Sequence, residues 1–186
     1  GNPGWIDGVV GKAVDFDGVD DYIEVPDSES LHITDELTTI VWGNIDKPSG
    51  DATLLAKGIS IGYGPNFLIR MLLRRNGIIT WGTTYGRYEF FSDGGMSKLG
   101  EWAQYLLTYN GTTSNGYINL EQVAQNTGGT TPLNYWAGYP VLTGMSPNGH
   151  VDYALGRGSR FGVLDGKVDE IRIYDCHLSL DEMKQL

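Results

Sequence analysis

Apolar residues along this chain come in short runs, separated by glycine, asparagine, aspartate, proline and serine. Runs of this length, rich in β-branched and aromatic residues, predict strands rather than helices. The pattern places them at Ala13–Phe16, Tyr22–Val25, Thr38–Trp42, Thr53–Ala56, Phe67–Leu73, Ile78–Thr83, Tyr88–Phe91, Ala103–Tyr109, Gly116–Leu120, Gln122–Gln125, Tyr153–Gly156 and Val168–Tyr174. Several runs alternate. In the last, period two puts Asp169, Ile171 and Ile173 on one face and Glu170, Arg172 and Tyr174 on the other. Asn76-Gly77 and Asn110-Gly111 each stand between apolar runs, the mark of tight hairpin turns. One helix start is legible, at the end of the chain. Ser179 and Glu182 have capping-box spacing, with Leu178 and Met183 at staple positions, so a short helix begins near Leu180. Residues Gly128–Gly149 read as one long loop carrying Tyr135, Trp136 and Tyr139. Many short strands and one terminal helix predict an all-β fold, an antiparallel β-sandwich.

Composition narrows the picture. The chain has 186 residues, which fits one domain spanning 1–186. Its 27 glycines are scattered without a period, as turns require. The formal net charge of −10 argues against a nucleic-acid partner, because phosphate binding needs clustered Lys and Arg. The short basic group Arg70, Arg74 and Arg75 does not outweigh it and reads as a solvated strand end. No apolar stretch approaches the roughly 20 residues of a membrane span, so no membrane insertion is expected. The single cysteine, Cys176, rules out an internal disulfide and reads as a semi-buried structural thiol. The abrupt Gly1-Asn2-Pro3-Gly4 opening suggests a domain cut from a larger chain, and a monomeric domain is expected.

Three segments together resemble a known family. They are Gly11–Pro26, with its Val14-Asp15-Phe16-Asp17-Gly18 core; Leu99–Tyr105 followed by Thr108–Thr112; and Leu164–Tyr174 followed by Leu178-Ser179. In order and spacing they are similar to the laminin-G-like jelly-roll domains of bacterial extracellular proteins, within the concanavalin A-like lectin/glucanase group. One departure is Tyr117-Ile118-Asn119-Leu120, where members usually carry Gly in place of Leu120. The resemblance implies a concanavalin A-like jelly roll, placed outside the cell or on its surface. It also implies that the first and last strands are neighbours, bringing Asp17 close to Asp169. Members often carry a structural Ca²⁺ on these two aspartates, with Asp20 and Asp21 as further candidates. Clustered hard oxygens suit calcium. The alternative is that Asp17 and Asp20 only make Asx turns and that Asp169 pairs with a backbone amide or a lysine.

The sequence points to a binding module rather than an enzyme. Sandwich-fold glycosidases of the resembled group carry Glu-x-Asp-x-x-Glu on one strand, and this chain has no such run. It also lacks a nucleophile elbow and a phosphate-binding loop. Trp42 and Trp102 are expected in the core. Trp81, Tyr85, Tyr88, Trp136 and Tyr139 are the candidates for a glycan-binding surface, since sugar sites combine aromatic platforms with polar groups. The partner expected is a glycan; the alternative is an extracellular protein held by a structural or adhesion domain.

Overall fold

The structure, a computed structural model, describes residues 1–47, 52–58, 67–73, 78–85, 88–96, 98–128, 132, 133, 135, 137–145 and 163–186. Its strands are β1 Gly4–Asp7, β2 Lys12–Asp17, β3 Ile23–Val25, β4 Leu37–Lys47, β5 Ala52–Gly58, β6 Phe67–Leu73, β7 Ile78–Tyr85, β8 Tyr88–Met96, β9 Trp102–Tyr109, β10 Thr113–Ile118, β11 Glu121–Thr127, β12 Val141–Thr143 and β13 Asp165–Tyr174. A helix, α1, spans Leu180–Met183. The strands form two antiparallel sheets, ordered β1-β2-β13-β4-β9-β10-β11 and β3-β12-β5-β6-β7-β8.

Alternation explains why the sheets stack. In the seven-stranded sheet Val41 lies opposite Tyr105 and Ile40 opposite Leu106. Val41 and Tyr105 enter the main core with Phe16, Leu37, Leu55 and Met71, while Ile40 and Leu106 face the other way. Their outer cluster would be left wet, but α1 covers it: Met183 is buried there, with Tyr174 and Leu178 packed alongside. The capping box forms in both directions between Ser179 and Glu182. Thr38 fastens the approach to the helix, donating to the Cys176 carbonyl and accepting from the Leu178 amide.

Several expectations change. The predicted loop 128–149 contains β12, which joins β3 to β5 through Val141, Leu142 and Thr143. Three residues are too few to display alternation, and all three are buried. β1 was not legible either, being four residues with two glycine or aspartate ends. In β13 the register slips between Asp169 and Arg172, and Glu170 has φ 46°, which marks a β-bulge. The extra residue reverses the faces. Ile173 packs on the core, Ile171 is exposed and Asp169 does not share a face with Ile173. Glu170 and Arg172 still pair, at 2.5 Å. Trp42 and Trp102 are half-buried, and Cys176 is exposed. The Asn110 turn joins β9 to β10, with its Oδ1 accepting from the Thr112 and Thr113 amides. At the next hairpin Asn119 and Leu120 both have positive φ, of 50° and 67°. Leu120 therefore holds a conformation suited to glycine and is compensated by packing on the outer cluster. The Asn76-Gly77 turn and the predicted strand Tyr153–Gly156 lie outside the described residues.

Because α1 is the cover of the outer cluster, Met183→Ala is expected to destabilise the protein by about 2–4 kcal/mol in urea unfolding. An unchanged midpoint would mean the helix adds nothing to that face.

Candidate functional site

The loop after β2 is built by its own carboxylates. Gly18 has φ 72°, which lets the chain reverse directly after Asp17. Asp17 Oδ1 then accepts from the Val19 amide at 2.8 Å, an Asx turn, and Asp21 Oδ2 accepts from the Asp17 amide at 3.2 Å. These bonds bring Asp17, Asp20 and Asp21 together, with a carboxylate oxygen from each within 4.8 Å of the others. Asp21 is buried, at 6% exposure.

Asp169 does not belong to this cluster. The β2–β13 register pairs Asp17 with Asp165 and Val14 with Val168. Asp169 therefore sits four rungs from Asp17, roughly 13 Å along the strands. The residue the register does bring opposite Asp17 is Asp165. A Cβ at Gly18 would come within 2.8 Å of the Asp165 Cβ, so the two loops touch. The bulge gives Asp169 a different task. Its Oδ2 accepts from the Val10 amide at 3.0 Å and its Oδ1 from the Glu170 amide at 2.9 Å. Those bonds satisfy a carboxylate only 8% exposed.

A second polar centre was not visible in the sequence. Lys57 lies in β5 opposite Ile69 and Val141, both core residues, so its side chain runs toward the interior and is fully buried. Its ammonium donates to Asp27 Oδ1 at 2.5 Å and to the Tyr139 carbonyl at 2.7 Å. Asp27 Oδ2 accepts from the Gly138 amide at 2.6 Å and meets His32 Nε2 at 2.9 Å. The His32 ring stacks on Tyr135, with centroids 4.4 Å apart. One carboxylate thus ties β5, the segment after β3 and Gly138 together. Lys57, then His32 and the Gly138 amide, hold the Asp27 carboxyl well below the usual carboxylate range. The available signal was a lone lysine in the otherwise apolar run Ala52–Gly58, but burial cannot be read from one charge in a strand.

The aromatic candidates are spread over these elements. Trp81 and Tyr85 lie on β7, where the register pairs Trp81 with Met71 and Ser92 and Tyr85 with Tyr88 of β8. The side chains of Trp81, Tyr85 and Tyr88, and Trp136 altogether, lie outside the described residues. Tyr139 is half-buried, and its carbonyl serves the Lys57 centre.

This two-sheet geometry has relatives. A family model for the concanavalin A-like lectin/glucanases superfamily matches residues 17–184. The chain belongs to that superfamily. No curated protein matches it significantly in sequence. Among solved structures, the binding domain of Paraclostridial Mosquitocidal Protein 1 is similar with a TM-score of 0.73 at 14% identity, over 98% of this chain and 44% of that one. The chain therefore spans less than half the length of that protein. The CBM40 domain of the Ruminococcus gnavus IT-sialidase, bound to α2,3-sialyllactose, is similar at 0.65 and 15% identity, over 88% and 94% of the two chains. Domain 4 of AbnA, a GH43 extracellular arabinanase from Geobacillus stearothermophilus, in complex with arabinotriose, is similar at 0.62 and 17% identity, over 100% and 81%. These likenesses share the fold. They include binding domains, and some of the similar chains belong to enzymes, such as a Trypanosoma rangeli sialidase. No helix among the described residues is long and apolar enough to cross a membrane.

The Asp27 centre yields a direct test. A depressed folded-state pKa contributes stability that is full above the unfolded value, about 3.9, and is lost as pH falls through the folded one. Below about pH 4 the melting temperature of the native protein should therefore fall, and Asp27→Asn should flatten that part of the profile. At neutral pH Asp27→Ala leaves Lys57 buried without its counter-charge and is expected to lower stability by about 3–5 kcal/mol.

Proposed function

We propose that this domain is a non-catalytic carbohydrate-binding module of a secreted or cell-surface protein, carrying a structural Ca²⁺. The observation that carries the reading is the superfamily match over residues 17–184, in a two-sheet architecture similar to domains solved with α2,3-sialyllactose and with arabinotriose. The arabinanase is named as extracellular, which agrees with the expected location.

The donor chemistry of the loop after β2 fits calcium. Asp17, Asp20 and Asp21 supply hard, anionic oxygens within 4.8 Å of one another, and Asp165 stands opposite Asp17 across the β2–β13 rung. Like charges on directly opposed strand positions repel unless a cation lies between them or water screens them. Asp17, Asp20 and Asp21 would hold the ion, with Asp165 as the added neighbour. The ion would neutralise the cluster and lock the turn after β2 to the start of β13. It takes no part in a reaction.

Two measurements test this. Melts with EDTA and with excess calcium should show stabilisation of about 2.7 kcal/mol when calcium is a hundredfold above its Kd. Asp17→Asn and Asp21→Asn should abolish that shift. Asp169→Asn should lower both melts equally, because its bonds belong to the β-bulge and the β1–β2 hairpin. An unchanged melt in chelated protein would remove the metal. A glycan array that includes arabino-oligosaccharides and sialylated lactose tests the binding role. A silent array, with a protein captured instead, would make the domain an adhesion module.

A further inference from the structure

The β1–β2 hairpin leaves a large apolar side chain in solvent. Trp5 is 70% exposed, on a strand that forms the edge of the seven-stranded sheet. Val9 and Val10 at the hairpin tip are exposed as well. A segment with so little of its side-chain surface in the core would ordinarily be free to fray. This one is held. Asp169, buried behind it, accepts from the Val10 amide, and its Oδ2 lies so close to Gly8 that a Cβ there would stand 2.4 Å away. Asp7 and Lys12 close the hairpin from outside with a 2.6 Å ion pair. A buried carboxylate and a glycine are thus committed to fixing a hairpin that carries an exposed indole. Packing does not account for that arrangement; a preorganised binding surface does.

The neighbours of Trp5 indicate the ligand. Period two puts Trp5 and Asp7 on one face of β1, and the register sets Val14 opposite Trp5 and Lys12 opposite Asp7 on that same face. Val14 is part of the core and firmly placed. The indole therefore stands beside an exposed carboxylate and an exposed ammonium, with side-chain exposures of 91% and 65%. An aromatic face flanked by a hydrogen-bond acceptor and donor matches a sugar ring, which offers an apolar C–H face and a rim of hydroxyls. Protein interfaces are different: they need about 800 Å² on each partner and are depleted in Lys and Asp at their centres.

We propose that Trp5, with Asp7 and Lys12, forms a glycan-binding subsite on the β1–β2 hairpin, and that Asp169 is the positioning residue that holds it. This deepens the carbohydrate-binding reading and rests on it. The sugar ring stacks on the indole, the Asp7 carboxylate accepts from its hydroxyls, and the Lys12 ammonium donates to them.

The experiment titrates the strongest array oligosaccharide into wild-type protein, Trp5→Ala and Trp5→Tyr by calorimetry. Trp5→Ala should weaken binding about tenfold or more, as loss of a central aromatic anchor does. Trp5→Tyr should retain part of the affinity, since a smaller aromatic face remains. Both variants should melt like wild type, because an exposed side chain contributes little to stability. Asp169→Asn, where it folds, should weaken binding although Trp5 itself is unchanged, because the hairpin loses its anchor at the Val10 amide. Wild-type affinity in Trp5→Ala would overturn the subsite and leave the carbohydrate reading standing. An array silent for wild type would overturn both. A concentration-dependent dimer that disappears in Trp5→Ala would assign the indole to contact between copies and overturn the subsite alone.

Discussion

The pairing of β13 with both β2 and β4 is the constraint on which the rest of this domain depends. The last strand of the chain lies between the second and the fourth, so the seven-stranded sheet is continuous only when residues 165–174 are in place. That insertion sets Asp165 across from Asp17 and carries Asp169 beneath the β1–β2 hairpin. It also delivers Tyr174, Leu178 and α1 to the outer cluster around Ile40 and Leu106. The acidic loop, the exposed indole and the helix cover are therefore all attached to one strand.

Charge inside the molecule is handled by partnership. Lys57 is fully buried, but its ammonium has a carboxylate and a carbonyl. Asp169 is nearly buried and accepts two backbone amides. Such groups rarely improve on an apolar core in net stability, but removing one partner is costly because it leaves a buried charge uncompensated. Here each one fixes a connecting segment: Gly138 and Tyr139 in one case and the β1–β2 turn in the other.

Strand positions were legible because burial on one face imposes a period of two, and turns such as Asn110-Gly111 have few chemical solutions. The capping box at Ser179 and Glu182 was legible for the same reason: a helix end needs particular side chains. The resemblance to a family was legible in the segments around Asp17 and Asp169, and the superfamily match agrees with it. What failed was register. A bulge at Glu170 adds one residue, reverses the faces of β13 and cannot be seen in a hydrophobic pattern. Separately from the bulge, the β2–β13 register sets Asp165 rather than Asp169 opposite Asp17, so the expected Asp17–Asp169 pair comes apart. β12 escaped notice because three residues carry no period, and the Lys57 centre because its partners lie far apart along the chain.

The central place of β13 also has a consequence for synthesis. A ribosome releases β2 and β4 long before the strand that joins them. Until residue 165 emerges, the edges of those two strands that face each other are unpaired, and the apolar side chains of Phe16, Val41 and Ile45 lie along the gap. The sheet therefore cannot close from its beginning toward its end. It waits on contacts of very high sequence separation, the regime in which folding is slow and open strands are most prone to pair with other chains. For this domain the vulnerable interval ends when one ten-residue segment finds its slot.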